Sequence, residues 1–140
     1  MRLAALLICL AAPALAGPKA QPELPASLLL GEVLPDLPNA RREVETIRGW
    51  HVDWERDGAP EILAQIAYVV PGGGNAVDIK WFLIGQDGND YFLALELNLP
   101  GPIGAVYDTP GRVALDVFSY APGDPRCCPS GTVRQWIAKP

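Results

Sequence analysis

The chain is poor in the side chains that do most catalytic and metal chemistry. It holds one histidine (His51), one methionine and three cysteines in 140 residues. A single imidazole excludes sites built from several histidines. It leaves a Ser-His-Asp or Cys-His arrangement only His51 to use, and no G-x-S-x-G elbow is present. Positive charge is scarce as well: eleven Lys and Arg stand against sixteen Asp and Glu, a net charge of −5. That balance repels nucleic acid and anionic lipid, so neither is expected as a partner. The triple glycine at 72–74 lacks the Lys-Ser/Thr and the helix that a phosphate loop needs. No apolar run reaches the roughly 20 residues of a bilayer-spanning helix.

What is present begins with a leader. MRLAALLICLAAPALAG carries one cation, Arg2, then an apolar stretch from Leu3 to Ala12, then Pro13 and the small-x-small triplet Ala14-Leu15-Ala16. This is the layout of a secretory signal peptide over residues 1–16, cleaved after Ala16. The expected location is periplasmic or secreted, with no membrane span left after cleavage. Cys9 leaves with the leader, so Cys127 and Cys128 become the only thiols of the exported chain. They meet an oxidising compartment with only each other as an internal partner, which excludes a disulfide framework.

Residues 17–40 read as a Pro-rich leader segment, mobile at first, with a possible short helical turn in the leucine cluster before Pro35 and Pro38. From 41 to 140 the pattern is β. Trp50, Val52 and Trp54 alternate with polar neighbours, and EILAQIAYVV (61–70) is a nearly unbroken apolar run in which Gln65 is the one polar interruption. AVDIKWFLIG (76–85) and YFLALELNL (91–99) flank the Asp-Gly turn QDGND, and RVALDVFSYA (112–121) and TVRQWIA (132–138) close the chain. The turns are too short for the helical crossovers of parallel strands. The expectation is a mainly β, β-rich α+β fold: a single curved antiparallel meander sheet of five to six strands with a short N-terminal helix.

Two stretches carry candidate chemistry. In VDWERDGAPE, Asp53, Glu55 and Asp57 alternate ahead of Gly58, and Glu61 follows. That spacing resembles the opening of a calcium loop, in which oxygen ligands wrap a hard cation. Ala64 stands where a bidentate Glu belongs, and Arg56 lies inside the loop. The competing reading is a polar turn whose carboxylates accept backbone N–H bonds. The second stretch is GDPRCCPS, with Asp124, Arg126, Cys127, Cys128 and Ser130 between and beside Pro125 and Pro129. The prolines pre-shape a rigid loop. The cysteines either close on each other, work as a redox couple, bind a soft metal, or link to another chain. The tryptophans, with Tyr68, Phe82, Tyr91 and Phe92, either line a ligand face or pack the core.

At this loop the sequence resembles exported bacterial proteins with a D-P-x-C-C-P-[ST] signature near the C-terminus, among them the mycobacterial LppP/LprE lipoprotein family. In that group an acidic hairpin precedes two or three strands, the double-cysteine loop and a last strand. VDWERDGAPEILAQIAYV and SYAPGDPRCCPSGTVRQWIA match that order over most of residues 50–138. This chain lacks the lipidation cysteine, so the resemblance implies a periplasmic form without a lipid anchor. It implies no activity and no catalytic residues. The functional expectation is a non-enzymatic exported β-domain, a binding or envelope-associated module for an unknown protein or small-molecule ligand. The alternative is a redox- or metal-handling protein using Cys127 and Cys128.

Overall fold

The computed structural model describes residues 19–72, 77–109, 112–125 and 127–137. Residues 1–18, which include the expected signal peptide, the glycines at 73 and 74, and Arg126 lie outside the described residues. The fold is mainly β and antiparallel, with a short helical segment at the N-terminal side. Seven strands form two sheets rather than one. β1 (Val44–Val52), β2 (Glu61–Val69), β3 (Val77–Asp87) and β4 (Asp90–Leu97) pair in sequence order, and β5 (Ile103–Thr109), β6 (Arg112–Ser119) and β7 (Gly131–Ile137) do the same. Each sheet is therefore a meander. The chain leaves the first and enters the second at Pro100-Gly101-Pro102, where two missing N–H donors stop the β3–β4 ladder from continuing.

The division into two sheets follows from burial. Trp50, Val52, Leu63, Trp81 and Leu83 from the first sheet, with Trp54 from the turn after β1, pack against Ile103, Val106, Val113, Leu115, Val117 and Ile137 from the second. The other face of the first sheet would be bare without the helical segment. Ala26–Leu28 starts it, and it continues through Leu29–Val33 and the tighter turn Leu34–Asp36. Leu29, Val33 and Leu37 from this region cover Ile62, Ala64, Ile66, Tyr68, Phe82 and Ile84. β2 is thus buried on both faces, which is why its sequence shows no polar alternation. Burying a Leu-sized side chain stabilises by about 1.5–3 kcal/mol. The short segment therefore stabilises through its leucines and valine, since a helix of this length is marginal by itself.

β5 is the strand that periodicity misses. Its register with β6 shifts between Ile103 and Ala105, so the apolar positions Ile103 and Val106 fall three apart instead of two. Gly104 and Asp108 blur the signal further. The segment after residue 18 is not a loose leader. Ala20 bridges Tyr107, and Gln21 N–H donates to Val106 O at 2.8 Å. Two residues later Glu23 bridges Trp50, and Leu24 N–H donates to Gly49 O at 2.6 Å. This strap pairs with β5 of one sheet and β1 of the other. Arg48 fastens it, donating to both Glu23 carboxylate oxygens and to Ile103 O.

Candidate functional site

The double-cysteine loop joins β6 to β7 and is closed by one carboxylate. Asp124 Oδ2 accepts N–H bonds from Ala121 at 2.7 Å and Ser130 at 2.8 Å, while Oδ1 accepts the Ser130 hydroxyl at 2.9 Å. Both ends of the loop are tied to the same side chain. Gly123 supplies the turn at φ +95°, where a Cβ would be strained. Cys128 N–H donates to Pro125 O at 3.0 Å. Within this frame Cys127 and Cys128 are exposed, and their sulfurs pair at disulfide distance. Phe118 and Tyr120, both exposed, precede the loop. Of the expected loop residues, Asp124, Cys127, Cys128 and Ser130 come together, and Arg126 is outside the described residues.

The backbone N–H groups of Ser130 and Ala121 hold the Asp124 carboxyl below its ordinary value. A carboxylate depressed in the folded state stabilises the loop above its ordinary value, and that contribution is lost as pH falls through the depressed one. The loop is therefore expected to stay closed from neutral pH down to about pH 4. On further acidification the Ser130 and Ala121 amide resonances should move with the protonation of Asp124. The same titration of Asp124→Asn should lack this acid transition, and an identical transition in that variant would place its origin elsewhere.

The acidic stretch has a different architecture. Glu61 is buried, and its Oε2 accepts Trp54 N–H at 2.7 Å across the turn. Asp57 Oδ1 accepts Ala59 N–H at 2.8 Å, a local turn of the kind aspartate favours. Asp53 faces the second sheet, where its N–H donates to Asp108 Oδ2 at 3.0 Å. Arg56, held at φ +62°, crosses to the same place. Its Nη1 lies 2.5 Å from Asp108 Oδ1, and its Nη2 donates to the carbonyls of Thr109 and Arg112. The contact to Asp108 Oδ1 is ionic without hydrogen-bond alignment. A guanidinium thus supplies a cation within the loop itself.

Glu55, Asp57 and Glu61 do share a cleft, of about 260 Å3, with Gly85 and Phe92. The Phe92 ring lies directly over Gly85, where a Cβ would come within 2.3 Å of it. Asp53 does not line this cleft. Among the described residues no three His, Cys, Asp or Glu side chains are grouped so as to hold a metal ion. His51 is exposed on β1, and Trp50, Trp54 and Trp81 are core residues.

Pattern reading did not assemble the network on the outer face of the second sheet. Register sets Tyr107, Ala114 and Trp136 in one cross-strand row and Ala105, Asp116 and Arg134 in the next. Arg134 donates to both Asp116 oxygens, at 2.7 and 2.8 Å, and Tyr107 Oη–H donates to Asp116 Oδ2 at 3.1 Å. The Arg134 guanidinium, with help from Tyr107, holds the Asp116 carboxyl below its ordinary value. The available signal was Arg134 and Trp136 at alternate positions of the last strand. Comparison with protein-family models, curated proteins and solved structures gives no match.

Proposed function

We propose that the chain is an exported, non-enzymatic binding module that presents the loop Asp124–Ser130 as its recognition surface. The observation that carries this reading is the Asp124 clasp: one carboxylate ties both ends of the loop and holds the cysteine pair out to solvent. Its acceptor positions are occupied by the loop itself, and it is held ionised, so it is poorly placed to trade protons with a substrate. A pre-ordered loop forfeits little conformational entropy on binding. Export is supported by the leader sequence and by the resemblance at the double-cysteine loop. Among the described residues no helix is long and apolar enough to cross a membrane.

The test is intact mass with thiol titration on the protein recovered from the periplasm, before and after mild reductant. The expected product begins at Gly17, is monomeric by mass, is two hydrogens short of the reduced chain, and shows no free thiol until strongly reduced. Free thiols in the recovered protein, or a pair that cycles with glutathione, would replace the recognition reading with thiol–disulfide exchange. Exposure of both cysteines is the observation that keeps that second reading in play.

A further inference from the structure

The outer face of the second sheet carries two cations in different states. Arg134 lies 4.7 Å above the Tyr107 ring and is neutralised by Asp116. Arg112 lies 3.8 Å above the Trp136 ring, and no carboxylate among the described residues pairs with it. Stacking fixes the plane of a guanidinium and leaves its N–H edge free for bidentate bonding to a carboxylate. Beside it the Trp136 ring is 46% exposed.

We propose that this face docks an acidic segment of a partner protein, with a partner carboxylate on the edge of Arg112 and an adjoining apolar side chain against the exposed rim of Trp136. Charge complementarity selects this occupant. An unpaired, immobilised cation on a chain of net charge −5 is the local exception to a field that favours cations elsewhere. A sugar would need a bare aromatic face, but the Tyr107 and Trp136 rings each have a guanidinium over them. A nucleic acid or anionic bilayer extends far beyond the patch into the protein's own negative field. Trp, Tyr and Arg clustered on one face are also the residue types that concentrate binding energy at protein interfaces. This site is separate from the cysteine loop. Arg112 starts β6 and the loop follows its end, about 23 Å away at strand rise.

The test is an NMR titration of the full exported chain with the blocked peptide acetyl-Leu-Glu-Phe-Glu-Leu-amide, beside the peptide with Gln for both Glu. The acidic peptide is expected to shift the Trp136 indole N–H while the three buried indoles stay still. The Gln peptide, and the Arg112→Gln variant, should each weaken binding about tenfold, the loss of one charge-assisted bond. Arg112→Lys keeps the charge without the fork and should fall between. If Arg112→Gln melts early, Arg112→Lys at unchanged melting decides the matter. Asp124→Asn should bind as the parent does, which separates this site from the loop. Equal binding of both peptides, an unmoved Trp136 signal at millimolar peptide, or tighter binding to phosphatidylglycerol vesicles would each overturn the proposal.

Discussion

Gln65→Leu is expected to lower the unfolding free energy by about 2–6 kcal/mol, although it makes the interior more apolar. Gln65 is buried in β2, and its Oε1 accepts two hydrogen bonds: from Trp81 Nε1–H at 3.1 Å and from Ile103 N–H at 2.6 Å. The first partner is on the neighbouring strand and the second is on the other sheet. Leucine fills similar space but strands both donors away from water, at about 1–3 kcal/mol each. Urea unfolding of the two proteins measures the difference. Gln65→Glu supplies a sharper comparison, because it keeps the acceptors and adds a buried charge. Burial raises such a carboxyl, so its penalty is full at neutral pH and fades as pH falls through the raised value. The gap between Gln65→Glu and the parent should narrow on acidification, and the gap for Gln65→Leu should not. A Gln65→Leu protein within 1 kcal/mol of the parent would mean that water reaches the two donors.

Gln65 also shows how far pattern reading goes. The sequence marks it as the odd residue in an apolar run, and the structure shows the use: a polar atom fixing how one sheet sits on the other. The hairpin around Gly88 and the strands β2, β3, β4 and β6 were legible because turn chemistry and period are local. The split into two sheets was not, since it depends on which apolar faces meet, and Trp50 and Val113 meet across more than sixty residues. β5 failed for a local reason, the shifted register between Ile103 and Ala105. At the candidate site the same division holds. The cysteine loop was legible because Asp124 and Ser130 are six apart. The outer face with Arg112, Tyr107 and Trp136 needs cross-strand register, which no single segment encodes. In the sequence Arg56 is only a charge inside the acidic loop, while its partner is 52 residues away.

Arg56→Gln is expected to destabilise by about 1–3 kcal/mol, the cost of leaving the Asp108 carboxylate in place without its cation, discounted for partial solvation. The pair is neither deep nor fully open: the side chains are 29% and 14% exposed. Asp108 also accepts the Asp53 N–H, and Arg56 also satisfies the carbonyls of Thr109 and Arg112, so the turn after β1 is latched to the β5–β6 end of the other sheet. The latch works against a backbone cost. A left-handed φ at a non-glycine residue disfavours the folded state by roughly 1 kcal/mol, and Arg56 sits at +62°. Arg56→Gly should therefore unfold later than Arg56→Ala, although both lack the guanidinium. Adding Asp108→Asn to Arg56→Gln should recover about 1 kcal/mol, because the amide carries no charge to leave uncompensated. Thermal melting of the three Arg56 variants, of Asp108→Asn alone and of the double mutant closes this cycle. Since the inter-sheet core does not depend on Arg56, amide exchange at Asp53 and Trp54 should quicken more than exchange in β2. Uniform quickening would instead make the latch part of the global fold, and unchanged melting of Arg56→Gln would show that the crossing guanidinium contributes no net stability.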